Sequence, residues 1–142
     1  MGFPLVVMPD AEQSVLAHLR TVAVGRQESY MTGVTFGTRI DPGITPTKYV
    51  RIRRTGGITI SPVAESPVID VQVWHDDDKS RMLLAQLIRS LLYAARGSVA
   101  GGVTWYRVQD VLGPAQIPDP SDATKTIVMF TLEIGMRGAQ TV

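Results

Sequence analysis

The sequence contains no cysteine, so neither a disulfide framework nor a thiolate metal site is available to it. It has no apolar run close to the roughly 20 residues that a membrane-spanning helix needs. Its first residues have neither the basic flank nor the small-residue cleavage site of a secretory signal, so we expect none. The formal net charge is only +1, which gives no overall attraction to nucleic acid or to an anionic membrane. What remains is a chain of 142 residues, a length that predicts one soluble domain with its own core.

The clearest pattern in the chain lies at residues 66–97. Apolar and polar residues alternate over residues 68–74, as a half-buried strand requires. The aspartates at 76–78 follow, and one of them is well placed to cap a helix, because its carboxylate can accept from the unpaired donors of the first turn. An apolar stripe at spacings of three and four then predicts a helix that ends at Arg96 and Gly97.

A second helix is predicted nearer the start of the chain, at about residues 11–24. Asp10 is its expected cap, Gln13 reaches back as in a capping box, and Gly25 ends it.

Further strands are predicted on both sides of these helices. Residues 49–54 alternate, and Gly56 and Gly57 are expected to stop that strand before a Pro-punctuated connection at residues 58–66. Residues 103–112 form another strand, and residues 126–136 show the most regular alternation in the chain. Residues 34–36 form a short strand at most.

Together these elements predict an α+β fold. It consists of a mixed, mostly antiparallel sheet of about four strands, with two helices packed on one face. Residues 37–47 and 113–124 are rich in glycine, proline and aspartate, and we expect them to be long projecting loops. The candidate site residues on these projecting loops are Arg39, Asp41, Ile117 and Asp119.

The face of the sheet away from the helices is predicted to be polar, with charges of both signs. Its expected members are Arg51, Arg53, Asp70, Gln72, Arg107, Thr131 and Glu133. Such a face can be solvated in a monomer or paired with a neighbour. Trp74 and Trp105 also fall on the polar side of their strands. Exposed tryptophans favour a protein interface, and partial burial under a loop is the ordinary alternative.

No arrangement of residues indicates catalysis. His75 and the following aspartates are the one local group of potential metal ligands, but no second group completes a coordination sphere, and a helix cap accounts for them. The serines and histidines lack a nucleophile elbow, and the run at residues 53–57 lacks a Walker lysine and precedes no helix. We therefore predict no catalytic residue, no metal and no cofactor.

Nucleic-acid binding is a separate possibility. Arg51, Arg53 and Arg54 form a basic stretch that could contact phosphate. Asp70 and Glu133 lie on strands expected to neighbour it, so cross-strand pairing would neutralise part of this charge. Neither a recognition helix nor an aromatic stacking platform accompanies it.

The order of elements carries a resemblance to a known family. A capped first helix, a projecting loop, the stretch VRIRRTGG, a strand with an acidic turn and a long helix, and a closing strand resemble the tail terminator (tail-completion) proteins of long-tailed bacteriophages, in particular those infecting actinobacteria. The resemblance covers most of residues 5–137 and rests on layout, since the family has no catalytic signature. The residues that carry it are Arg53, Arg54, Gly56, Gly57, Asp70 and Trp74.

This resemblance implies a virion structural protein and not an enzyme. Members of the tail-terminator family assemble as a homo-oligomeric, hexameric ring on the tail tube protein. The ring ends tube polymerisation and joins the tail to the head-side connector or stopper protein. Genomic DNA passes through the lumen without sequence recognition, and no membrane is involved. The expected location is the head-proximal end of the virion tail, and the host cytoplasm during assembly. The candidate subunit or partner interface consists of Arg51, Arg53, Arg54, Asp70, Trp74, Trp105, Arg107 and Glu133.

Two alternatives stay open at this point. One is another head–tail connector component, the stopper, although stoppers are usually mostly β and would not need the long helix at residues 80–96. The other is a small nucleic-acid-binding module that uses Arg51, Arg53, Arg54 and Arg107.

Overall fold

A computed structural model of the chain describes residues 5–141. The elements in chain order are β1 (Leu5–Val7), α1 (Ala11–Val22), β2 (Thr35–Gly37), β3 (Tyr49–Ser61), β4 (Ala64–Trp74), α2 (Asp78–Ala94), β5 (Ser98–Ala100), β6 (Val103–Asp119), β7 (Asp122–Arg137) and β8 (Ala139–Thr141). A single 3-10 turn, Ser29–Met31, lies between α1 and β2. The fold is α+β, as the sequence predicts.

Six strands form one curled sheet in the order β2-β3-β4-β7-β6-β5, and β1 pairs with β8 in a separate two-stranded ribbon. The sheet is mixed, as predicted, because β2 runs parallel to β3 while the other neighbours are antiparallel. The predicted count of about four strands is wrong. Strands β2 and β5 have three residues each, which is too short for alternation to be recognised in the sequence.

The glycines of β3 do not stop the strand. β3 continues through them to Ser61 and forms a hairpin with β4, so the predicted connection at residues 58–66 is wrong. A register shift lies between Arg54 and Gly56. Gly57 has φ +116°, and a Cβ there would collide with the Ser66 carbonyl and lie 2.6 Å from Pro67 Cα. These glycines therefore allow a close backbone approach inside the sheet.

The predicted loop at residues 113–124 is also a hairpin. Strand β6 runs through Pro114 and Pro118 to Asp119, and β7 begins at Asp122. Register shifts occur next to both prolines, and the strand continues past each of them. In contrast, the segment between β2 and β3 is irregular, as predicted for residues 37–47.

Both predicted helix caps are confirmed. The Asp10 side chain accepts from the Gln13 N–H at 3.2 Å. Asp77 accepts from the Ser80 N–H at 3.0 Å and from the Ser80 hydroxyl at 2.7 Å, and these hydrogen bonds lower the pKa of the Asp77 carboxyl, the side-chain bond having the larger effect. Helix α2 ends at Ala94, two residues before the predicted Arg96, and Gly97 has the left-handed conformation predicted for it, with φ +81°.

The core lies between the two helices and one face of the sheet. The inward residues of β7 are fully buried along the whole central part of the strand, as its alternation predicts. The members contributed by β3, β4 and β7 are Val50, Ile52, Ile69, Val71, Val73, Val128, Phe130, Leu132, Ile134 and Met136. The helices contribute Val15, Leu16, Leu19, Leu84, Ala85, Ile88 and Leu92.

Trp105 belongs to this core and not to the polar face, so its predicted orientation is wrong. Trp105 pairs with Met136 and Arg107 pairs with Gly135, which leaves Tyr106 as the extra residue of a bulge. Trp105 is 0% exposed, whereas Tyr106 is 38% exposed. The indole N–H of Trp105 donates to Ser14 Oγ of α1 at 2.9 Å, and His18 meets the indole edge-on with ring centroids 5.3 Å apart.

His18 is expected to make stability depend on pH. Burial lowers the pKa of its imidazole below the ordinary 6.5, and a hydrogen bond with the Leu91 backbone opposes this less strongly. The unfolded chain therefore binds the proton more readily, and the contribution to stability is fully present above pH 6.5 and is lost as the pH falls below 6.5 toward the folded-state pKa. Thermal melts between about pH 7.5 and about pH 5 should show a larger loss for the wild type than for His18→Phe, which keeps the ring contact. Parallel curves for the two proteins would contradict this assignment.

Candidate functional site

The helix-free side of the sheet, here called the polar face, holds a hydrogen-bonded network across three strands. Arg107 of β6 forms an ion pair with Glu133 of β7. The Ser66 hydroxyl of β4 donates to Glu133 Oε1 at 2.6 Å and accepts from Arg107 Nη2 at 3.0 Å. Next to this group, the Thr131 hydroxyl donates to Asp70 Oδ1 at 2.7 Å. The polar face therefore balances much of its charge within one molecule.

The three arginines of the basic stretch are separated by the strand geometry. Arg51 donates to Gln72 Oε1 at 3.4 Å and to the Thr38 carbonyl at 3.3 Å. Burial, followed by repulsion from Arg53, lowers the pKa of the Arg51 guanidinium. Arg53 pairs in register with Asp70 and is exposed. A continuous basic patch is not formed.

Arg54 lies on the helix side of the sheet, because it pairs in register with the core residue Ile69. Its guanidinium donates to Glu65 at 2.9 Å, and its backbone N–H donates to Glu12 of α1 at 2.8 Å. Arg54 continues the alternation of Val50 and Ile52, at a spacing of two residues. This pattern in the sequence could have predicted that Arg54 lies on the helix side of the sheet.

Trp74 lies on the polar face but is only 2% exposed. Its indole N–H donates to Asp119 Oδ2 at 2.9 Å, and Asp119 Oδ1 accepts from the Ser121 N–H at 2.8 Å. The tip of the β6–β7 hairpin is thereby held against the end of β4. Trp74 is therefore buried under a neighbouring segment. This was the alternative to an exposed interface position for the two tryptophans. Asp119 is 3% exposed, so its predicted place on a projecting loop is wrong.

Ile117 is likewise not at the end of a projecting loop. It pairs in register with Ile127, which is 0% exposed. Arg39 and Asp41 lie on the irregular segment before β3, where both are exposed. The Arg39 carbonyl accepts from the Tyr49 hydroxyl at 2.6 Å, which ties this segment to the sheet.

One end of the sheet, here called the loop end, consists of residues 38–48, 75–81 and 119–125. It surrounds a groove of about 410 Å³ and carries charges of both signs. The Arg81 guanidinium forms an ion pair with Asp78, with Nη1 2.9 Å from Oδ1, and the Lys48 amine lies 4.0 Å from Asp76. The exposed large aliphatic side chain of this end is Ile44.

The opposite end, here called the hairpin end, consists of the β1–β8 ribbon and residues 58–66 of the β3–β4 hairpin. The Gly138 N–H donates to the Val63 carbonyl at 2.7 Å, which joins the ribbon to the turn. This end exposes a group of large aliphatic side chains: Leu5 66%, Val7 54%, Ile58 67%, Ile60 50% and Val63 48%. The two ends of the sheet therefore differ in chemistry. The hairpin end was not predicted, because residues 58–66 were assigned to a connection, although Ile58 and Ile60 alternate with polar residues.

His75 takes part in the turn that precedes α2. Its Nδ1 accepts from the Asp77 N–H at 3.2 Å, so its Nε2 carries the hydrogen and donates to the Tyr30 carbonyl at 3.2 Å. Within residues 5–141, no three His, Asp or Glu side chains are arranged to hold a metal ion. The helices of that same part of the chain are all too short or too polar to cross a membrane.

No protein-family model matches this chain, and no curated protein is significantly similar to it.

Proposed function

We propose that this chain is a virion structural protein of the tail-terminator type, which forms a ring on the end of the tail tube, ends tube polymerisation and joins the tail to the head-side connector. The observation that carries the proposal is the different chemistry of the two ends of the sheet. A subunit placed between two different protein partners needs two unlike surfaces facing in opposite directions. The aliphatic hairpin end and the charged loop end supply such a pair.

The polar face supports the same function in another way. A surface that lines a DNA channel must be hydrated but must not bind phosphate tightly. Tight binding of phosphates by arginine or lysine, with release of counterions, would slow the passage of the DNA. Arg107 forms an ion pair with Glu133, and Asp70 lies directly opposite Arg53 on the adjacent strand. Such internal pairing weakens the case for a nucleic-acid-binding module built on the same arginines.

The stopper is the alternative in the same setting. The helix layer favours the terminator, because α2 runs from Asp78 to Ala94 and supplies part of the core on one whole side of the sheet. A mostly β stopper would not need that helix.

The test is to add the purified protein to its cognate tail tube protein during polymerisation and to measure tube length by negative-stain electron microscopy. We expect a ring at one end of each tube and a stop in elongation. Val63→Asp, at the hairpin end, should raise the concentration needed for capping by at least about tenfold, because a carboxylate in an apolar contact must be desolvated. Val24→Asp is the matched control, since Val24 is 81% exposed and lies after α1 on the helix layer.

Tubes that grow unchanged and carry no added ring would refute the proposal. Equal capping by the two variants would leave the ring in place and exclude the hairpin end as the contact with the tube.

A further inference from the structure

Arg81 of α2 carries a buried charge beside the groove at the loop end. Its side chain is 9% exposed and is among the groups that line the groove. Nη1 donates to the Thr126 hydroxyl at 3.3 Å and Nη2 donates to the His75 carbonyl at 3.1 Å, but Nε has no partner within residues 5–141. Both acceptors are neutral, so neither balances the positive charge. A buried cation in this state is costly unless an anion compensates it.

The anion beside Arg81 in this structure is a weak partner. Within residues 5–141 the guanidinium forms one ion pair, with Asp78, whose side chain is 87% exposed. Water and salt screen such a pair. Asp78 is the first residue of α2 and Arg81 is the fourth, so the helix dipole favours the carboxylate there and disfavours the guanidinium. Asp78 therefore does not need Arg81, and another carboxylate can replace it at Nη1.

The other charges of the groove leave room for one more anion. Three carboxylates and two cations line it: Asp76, Asp78, Asp119, Arg81 and Lys125. Asp76 lies 4.0 Å from the Lys48 amine, and Asp119 accepts from the Trp74 indole N–H at 2.9 Å. Lys125 is exposed and forms no ion pair in the described part of the chain. Each carboxylate therefore has a donor, whereas both cations keep unused N–H groups.

Arginine binds both carboxylates and phosphates, and the surroundings of Arg81 favour a carboxylate. The three carboxylates of the groove repel inorganic phosphate, with its larger negative charge, more strongly than they repel a carboxylate. A guanidinium that is 9% exposed is also reached only by a narrow group. An aspartate or glutamate side chain can enter a groove of about 410 Å³, whereas the phosphates of a DNA duplex are held on a broad backbone. The ligand that fits is therefore a side-chain carboxylate of a protein.

We propose that the groove at the loop end binds a carboxylate, supplied by an aspartate or glutamate side chain of the protein that docks there. Arg81 is the anchoring residue and Lys125 is a second contact. The incoming carboxylate takes the place of Asp78 at Nη1 of Arg81. The identification of the docking protein as the head-side connector rests on the proposed function, but carboxylate binding can be tested on the chain alone.

The first measurement is a titration of the isotope-labelled full chain with sodium acetate, with sodium chloride holding the ionic strength constant. The NMR signal of the Arg81 Nε–H group should shift and saturate. Asp78→Asn removes the competing carboxylate and should strengthen acetate binding by at least about threefold, and Lys125→Gln should weaken it by about as much. Both sites are exposed, so the fold should be unchanged. Asp110→Asn is the matched control, because Asp110 pairs with Arg89 of the same helix, and it should leave acetate binding unchanged.

Two results of the titration would overturn the carboxylate site. A signal that responds to chloride as it does to acetate, or that does not saturate, would show that the groove selects no carboxylate. Tighter binding of sodium phosphate than of acetate would assign the groove to a phosphate ligand instead, free or on a nucleic acid.

The second measurement tests the source of the carboxylate. Capped tubes are mixed with the purified head-side connector protein, and the bound connector is measured after sedimentation. Lys125→Glu should weaken connector binding by at least about tenfold, because it sets like charges against each other, and should leave tube capping unchanged. Unchanged connector binding, together with acetate binding, would overturn the protein source and indicate a small free carboxylate. Uncapped tubes would refute the proposed function and the connector as the source, while the titration still decides whether the groove binds a carboxylate.

Discussion

Replacing Trp105 by alanine is expected to lower the free energy of unfolding by about 3–5 kcal/mol, which is a large fraction of the stability of a domain of this size. The indole is 0% exposed and joins the sheet to α1 through Ser14 and His18. Its removal leaves a cavity that the surrounding strands and helix cannot fill. It also removes the donor to the Ser14 hydroxyl.

Urea unfolding followed by circular dichroism measures the effect, and two controls separate its causes. Trp105→Phe keeps most of the ring and loses the hydrogen bond, so it should cost about 1–2 kcal/mol. Tyr106→Ala changes the neighbouring aromatic residue, which is 38% exposed, and should cost about 1 kcal/mol. If Tyr106→Ala proved as harmful as Trp105→Ala, the bulge between Trp105 and Arg107 would be wrongly placed.

Gly57→Ala should have the second largest effect, a loss of about 3 kcal/mol or more. The backbone there has φ +116°, which an L side chain rarely adopts, and the new methyl group would collide with the Ser66 carbonyl. Relief of the collision requires β3 and β4 to separate at the hairpin end.

The adjacent glycine provides a matched control. Gly56 has φ +155° and nothing within 4 Å of an added Cβ, so Gly56→Ala adds backbone strain alone and should cost roughly 1–2 kcal/mol. Denaturant midpoints for the two variants give the comparison. Equal losses would show that the collision with β4 is not what requires glycine at position 57.

The parts of the fold that the sequence predicts well are those where the backbone is regular. Strand β7 alternates without interruption, and α2 has a cap, a continuous stripe and a stop, so pattern and structure agree. Strand β6 has four register shifts, and a shift of one residue inside a strand changes which face the following side chains occupy. Alternation therefore assigned Trp105 to the wrong face, although it assigned Arg107 correctly.

The candidate site was likewise predicted where the backbone is regular and was missed where the backbone is irregular. The members of the polar face follow from simple alternation on β3, β4 and β7, and the pairing of Arg107 with Glu133 follows from their opposite charges on adjacent strands. The two ends of the sheet could not be predicted, because glycine and proline were interpreted as breaks. In β3 the glycines serve a close approach, and in β6 the prolines lie on an unpaired edge, where a missing N–H is tolerated. Composition alone does not distinguish these uses from loops.

The central position of β7 determines when the fold can be completed during synthesis. This strand lies between β4 and β6, yet the ribosome makes it after both. Until residues 122–137 have emerged, the nascent chain presents inner edges of β4 and β6 that have no partner. Pairing β4 with β7 across the intervening helix and strands is non-local, which favours slow folding. The interval before β7 emerges is therefore the time when the nascent chain is most exposed to wrong pairing with other copies.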